Sequence, residues 1–382
     1  MPIHDDVLIA GLGAMGSSAA FHLARRGVRV RGFDRFSPPH TMGSSHGQSR
    51  IIREAYFEDP VYVPMVRRAY ELWRELQREA AEPLLLRTGG LMFGRPDSEL
   101  VAGARASAEQ YGLDHEVLAA SEIPRRFPAF RPEADMVAVY EPRAGILFPE
   151  ACVRVLLSGA RACGAQIHGD EPVLGWRAGA DGVSVTTPKA SFSADLLIVS
   201  AGAWAGQLLK SLEPPLVVER QVAFWFDPKS SPEDFSAANC PVHLWQFDGD
   251  RFAYGFPDLG DGVKVAFHHE GLVGSPDSLA REVGADEVEN ARALVRRFLP
   301  DADGVFRSAA ACLYTNTPDE HFWIDRHPQH DNVLIASPCS GHGFKFASVI
   351  GEILADLATR GNTPFDLSTF RSRWPPGSGR PD

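Results

Sequence analysis

Long apolar runs are missing from this 382-residue sequence. No segment reaches the ~18 apolar residues a helix needs to cross a bilayer, which argues against a membrane-spanning protein. The first apolar run begins at Val7, leaving no room for a signal peptide, so a cytoplasmic location is expected. Cysteine is scarce: Cys152, Cys163, Cys240, Cys312 and Cys339 make an odd set with no C-x-x-C pair. Neither a disulfide framework nor a zinc site is expected from it. Positive charge is also short, with 38 basic against 49 acidic residues and a net charge of −11. No basic run gathers to attract nucleic acid or an anionic membrane, so the expected partner is a small molecule. Internal repeats and low-complexity tracts are absent too. The length exceeds what one hydrophobic core usually serves, and two domains are expected.

What is present begins at the amino end. The run Val7-Leu8-Ile9-Ala10 leads into Gly11-Leu12-Gly13-Ala14-Met15-Gly16, the pattern of a strand turning into a helix. Gly11 permits the tight turn, Gly13 lets backbone approach a pyrophosphate, and Gly16 lets the helix pack on the strand. The first N–H groups of that helix would face phosphates. Ala20, Leu23 and Ala24 form a helix face, Gly27 closes it, and a second strand starts at Val28. Asp34, 18 positions past Gly16, falls where a ribose hydroxyl would sit. Together these features predict a dinucleotide site.

Further on, Gly43 to Arg50 forms a polar loop too long for an ordinary connection. Arg50 and Arg53 flank Ile51-Ile52; in a strand they would face opposite ways, in a helical turn the same way, and spacing alone does not choose. Helices are expected from Pro60, with Tyr62, Met65, Val66, Ala69, Leu72, Trp73 and Leu76 in register, and over Glu150 to Cys163 and Ala285 to Phe298. Short strands are expected at Leu84–Leu86 and Leu91–Phe93, and fully buried ones at Leu196–Val199 and Val333–Ala336. Val217–Phe226, Arg251–Phe256 and Val263–Phe267 read as an antiparallel sheet bearing large aromatics, a candidate substrate platform. After Ala336, Ser340 to Phe346 opens a helix whose inner side carries Val349, Ile350, Ile353, Leu354 and Leu357. The Pro-Gly-Ser-rich carboxyl end reads as frayed.

From about residue 6 to 371 the sequence resembles the monomeric sarcosine oxidase and N-methyltryptophan oxidase group of the D-amino-acid-oxidase-like flavoproteins. The marks are the first glycine loop with Asp34, Pro38-Pro39-His40 leading to Gly47 and Arg50-Ile51-Ile52-Arg53, Tyr254-Gly255-Phe256-Pro257, Cys312-Leu313-Tyr314 with Pro318 to Phe322, and Ser340 to Phe346. The resemblance implies an α/β protein, α+β overall, with a Rossmann-like FAD-binding domain and an antiparallel-sheet substrate domain. The first would comprise residues 1–88, 146–215 and 322–382, the second 89–145 and 216–321. It implies FAD rather than NAD, a monomer, and oxidation of a secondary amino acid by O2. The alternative is a dehydrogenase that passes electrons to another acceptor.

The same resemblance implies roles for individual residues. Cys312 matches a cysteine joined to the flavin by a thioether. Arg53 and Lys345 match two cations that hold the substrate carboxylate, a task suited to the planar fork of Arg and the point charge of Lys. Lys264 matches a lysine beside the flavin where oxygen reacts, while Arg50, His268 and His46 match residues on the flavin and substrate side. Tyr254, Tyr314 and Trp245 would wall the pocket. Further flavin contacts would come from Gly11, Gly13, Ala14, Met15, Gly16, Asp34, Arg35, Ser44, Ser49, Val173, Ala201, Gly202, Trp204, Gly341, His342, Gly343 and Phe344. One departure stands out: the two named enzymes carry paired histidines followed by Gly-Asp-Thr, where this chain has Ser45-His46-Gly47-Gln48-Ser49.

Overall fold

The computed structural model describes residues 4–371. The carboxyl-terminal stretch expected to fray lies almost wholly outside the described residues. The amino-terminal motif folds as its glycines require. Strand His4–Ala10 runs into helix Ala14–Arg25, and the next strand spans Val30–Phe33, two residues later than the apolar pattern begins. Gly11 adopts φ +96°, and a Cβ there would lie 2.5 Å from the Ser200 carbonyl oxygen. A Cβ on Gly16 would lie 1.8 Å from the Gly11 carbonyl oxygen, so both positions exclude a side chain.

The first sheet is built around His4–Ala10, paired in parallel with Val30–Phe33 on one side and Ser191–Val199 on the other. His330–Ser337 lies parallel to the carboxyl half of Ser191–Val199, and Gln166–His168 extends the far edge. Leu197, Ile198, Val199, Val333, Leu334 and Ile335 are all fully buried, in keeping with strands covered on both faces. Helices Ala14–Arg25, Val63–Glu79, Pro149–Ala162 and Ala347–Arg360 contribute to one large core on this sheet.

The second sheet has eight strands and is antiparallel except where Val242–Phe247 runs parallel to Gly90–Gly94. Near one edge lies Val217–Phe226, paired with Val263–His268 on its inner side and with the long edge strand Phe306–Asn316 on the other. Residues from 90 to 141 supply three of its strands. The helix Glu99–Tyr111 between them turns away: Leu100, Val101, Ala104 and Ala108 join the large core of the first sheet. A small third sheet holds Arg50–Ile52, Gly145–Leu147 and Leu85–Arg87 between the other two. No helix among the described residues is long and apolar enough to cross a membrane.

Candidate active site

A cleft of about 470 Å³ runs from the first glycine loop to the face of the second sheet. At the glycine end it is lined by Gly11, Gly13, Ala14, Met15, Asp34, Arg35, Val173, Ala201, Gly202 and Trp204. Asp34 ends its strand with both oxygens engaged: Leu12 N–H donates to Oδ2 at 2.7 Å and Phe36 N–H to Oδ1 at 2.9 Å. The carboxylate therefore braces the glycine turn as well as facing the cleft. Gly16 lies beneath that turn and lines nothing.

The middle of the cleft is formed by the polar loop before Arg50. Ser44 donates to the carbonyl of Leu313, and Arg50 donates to the carbonyls of Ser49 and Ser44, each at 2.8 Å. Arg50 and Arg53 both line the cleft although three residues apart. The strand stops at Ile52, and the turn that follows brings Arg53 back to the same side. Lys264 projects from the second sheet, 2% exposed, and donates to Gly47 O at 2.7 Å and to Ser49 O and Oγ at 3.1 Å each. Its Nζ also stands 4.6 Å from the Phe256 ring centroid. Burial, then the nearby Arg50 charge, holds this ammonium well below its ordinary pKa. His46 is buried with its Nε2 unpartnered, and burial together with Arg50, Arg281 and Lys264 pushes it down to about 3. Ser49, His46, Lys264 and Cys312 contribute no lining surface themselves.

Strand alternation explains what faces the cleft from the second sheet. In register, Tyr254 pairs with Ala266, Ala266 with Ala223, and Ala223 with Ala310; Lys264 pairs with Phe256 on one side and Trp225 on the other. Cys312 and Tyr314, two and four positions beyond Ala310, share this side. Cys312 is buried, and its charge would be felt by Lys264, Tyr254, Tyr314 and Arg281. Tyr314 OH and His268 Nδ1 are 3.1 Å apart. Gly341, at φ +77°, passes so close that a Cβ would meet His268 at 2.5 Å and Tyr314 at 2.7 Å.

Trp245 is corrected by the same rule. It pairs with Ala253, one residue off the Tyr254 parity, and so faces the opposite side of the sheet. There it stacks on Phe93 at 3.7 Å and Phe298 at 4.4 Å, within the core. Its neighbour Leu244, paired with Tyr254, lines the cleft instead, together with Phe252 and Phe57, whose rings stack at 5.8 Å.

The far end is cationic. Arg53, 3% exposed, donates from Nη1 to Ala55 O at 2.7 Å and from Nη2 to both oxygens of Glu58, at 2.8 and 2.7 Å. Lys345 donates to His342 O at 2.7 Å and lies 3.3 Å from the Tyr56 hydroxyl. Burial, then Arg53, lowers Lys345 to about 7, with Glu58 opposing. Burial works against an ionised Glu58, yet Arg53, His342 and Lys345 outweigh it and hold its carboxyl below the ordinary value. His342 Nδ1 meets the Tyr56 hydroxyl at 2.5 Å. Glu58 and Tyr56 escaped the sequence reading. The one signal was an acidic residue five positions past a candidate binding arginine.

Comparison with known proteins agrees with this geometry. Residues 6–357 match the family model described as FAD dependent oxidoreductase. The chain belongs to that family. Monomeric sarcosine oxidase of Streptomyces avermitilis is 46% identical to this FAD-dependent oxidoreductase over 372 residues, 96% of this chain and 97% of that one. N-methyl-L-tryptophan oxidase of Escherichia coli is 38% identical over 372 residues, covering 96% and 98%. Among solved structures, the amino acid oxidase NikD aligns with TM-score 0.83 at 24% identity, over 96% of this chain and 97% of its own, a likeness of fold. The residues present fit FAD: a side-chain-free glycine cradle, an acidic residue at the end of the second strand, and a cleft continuing to the sheet face.

Proposed function

We propose that this oxidoreductase is an amine oxidase that takes a secondary amino acid, N-methyl or cyclic, and passes its electrons to O2, giving an imine that water hydrolyses and hydrogen peroxide. The observation that carries this reading is the pairing of Arg53 with Lys345 at one end of a pocket walled by Tyr254, Tyr314, Leu244 and Phe252. Two buried cations side by side call for an anion, and a substrate carboxylate supplies one. Glu58 now holds the Arg53 fork. Sharing or displacing it would seat a carboxylate between the two cations. FAD, when bound, supplies the two-electron acceptor. The chain's own contribution is orientation. The carboxylate grip fixes the amine-bearing carbon against the aromatic walls, and Tyr314 with His268 forms a polar edge beside it. Arg50 sets fixed positive charge at the cleft and Lys264 sets a buried amine behind it, where negative charge develops. That placement favours O2 over another electron acceptor, and the names of the two relatives point the same way.

We further assign Cys312 as the point of covalent attachment, because it shares the sheet face with Lys264 and Tyr314. In this reading the FAD-binding domain comprises residues 1–88, 146–215 and 322–382, the substrate domain 89–145 and 216–321, and the enzyme acts as a monomer. A peroxide-coupled screen of N-methyl and cyclic amino acids tests the activity; absence of peroxide with every member, alongside turnover with an artificial electron acceptor, would favour the dehydrogenase. Acid precipitation tests attachment. Yellow colour is expected in the pellet for wild type and in the supernatant for Cys312→Ser, and colour released from wild type would contradict it.

A further inference from the structure

Arg53 does not hold its own position. The carbonyl that receives its Nη1, at 2.7 Å, belongs to Ala55, within a turn that leaves the small central sheet. That turn is fastened from the second sheet by one side chain. Glu54 N–H donates to Glu141 Oε1 at 2.7 Å and Ala55 N–H donates to Glu141 Oε2 at 2.9 Å. Glu141 is 1% exposed and ends the strand Val137–Glu141, its backbone in register with Gly90. Two consecutive backbone N–H groups are thus fixed by the two oxygens of one buried carboxyl. The arginine that reads the substrate is fixed, in turn, by the Ala55 carbonyl, which directly follows them, and by Glu58.

We propose that Glu141 is the positioning residue of the substrate-binding arginine, so that discrimination for a carboxylate depends on it although it does not line the cleft. The inference rests on the reading of Arg53 as a carboxylate ligand. Burial pushes the Glu141 carboxyl up to about 7 against the pull of the two N–H donors, and the Arg53 charge lies close enough to lower it. The neighbouring Glu54 is dealt with separately, by Arg143 at 2.9 Å and Arg67 at 3.8 Å, and so does not compete for the same N–H groups. A glutamine at 141 keeps the volume and one acceptor but turns an amide NH2 toward a backbone N–H, which loosens the turn without emptying the site.

The test compares kcat/KM for sarcosine and for dimethylamine, its decarboxylated analogue, in holoenzyme carrying Glu141→Gln, Arg53→Met, or both, with the Kd of acetate followed through the visible absorption of the bound flavin. Glu141→Gln is expected to cut the sarcosine-to-dimethylamine ratio and weaken acetate at least tenfold while changing dimethylamine turnover less than threefold, and to add nothing in the Arg53→Met background. Should Glu141→Gln not fold, Glu141→Asp, which is too short to reach both N–H groups, is read by the same ratio. A ratio and an acetate Kd equal to wild type in the folded variant, with Arg53→Met still lowering the ratio and raising the Kd, would overturn the positioning role alone. If Arg53→Met itself leaves the ratio unchanged, the carboxylate reading fails instead.

Discussion

Two buried lysines mark the two working regions of the cleft, and their surroundings differ in kind. Lys264, 2% exposed, has three partners, all from the loop before Arg50: two backbone carbonyls and one hydroxyl. An ammonium has three donors, and this one commits all of them. The same three contacts would serve a neutral amine, whose lone pair could accept from the Ser49 hydroxyl. Lys345, 5% exposed, has one carbonyl and one tyrosine hydroxyl, and lies in the field of the Arg53–Glu58 pair. One lysine is built into the wall; the other keeps a donor for something that arrives. The comparison teaches that a buried cation with its donors used up supplies potential, whereas one beside an exchangeable carboxylate supplies binding.

The largest effect should come from the wall. Lys264→Met removes the buried amine without touching any hydrogen-bond partner of Arg53 or Lys345. Reaction with O2 is expected to slow about 10²- to 10³-fold, while anaerobic substrate oxidation stays within a few-fold. Stopped-flow reoxidation at the wild-type rate would merge the two lysines into one structural class. Next is Trp245, which belongs to neither region. Its stack with Phe93 and Phe298 makes Trp245→Ala a core truncation costing about 3–5 kcal/mol of stability. Thermal denaturation should show the loss while the preference between sarcosine and N-methyltryptophan stays put; a changed preference would return Trp245 to the pocket.

That contrast shows what residue order conveys and what it withholds. The glycine loop, the strand Val217–Phe226 and the helix Ala285–Phe298 follow from local pattern, since each rule acts within a few residues. Cys312, Tyr314, Arg53 and Lys345 were legible as candidates for the same reason: each sits within a distinctive short motif. The side on which Trp245 falls is a different matter. Its strand is buried on both faces, so alternation carries no polarity, and only pairing with Ala253, one residue off Tyr254, fixes the parity. The helix Glu99–Tyr111 hides because two alanines and a serine make up most of its five buried residues. Glu58 sits in Phe57-Glu58-Asp59-Pro60, which looks like a solvated turn until the fold lays it against Arg53.

A smaller, graded effect separates the two lysines by pH. Lys345 is lowered to about 7, so it is charged below that value and neutral above it. Acetate, which has no amine of its own to titrate, should bind well below pH 7 and weaken by up to about tenfold per unit above it, until the value raised by the bound anion is passed. Lys345→Met should flatten the profile, and Lys264→Met should leave its midpoint in place. An acetate Kd independent of pH from 6 to 9 in wild type would show that Lys345 is not the titrating contact.

The central claim is that the cationic end of the cleft grips a carboxylate, and the direct measurement is kcat/KM of the wild-type enzyme for sarcosine against dimethylamine at one pH. Each charge-assisted hydrogen bond to the carboxylate is worth about 1.5–3 kcal/mol, so sarcosine should lead by one to several powers of ten. Equal values for the two amines would contradict the account and leave Arg53 and Lys345 as an ion network serving the fold.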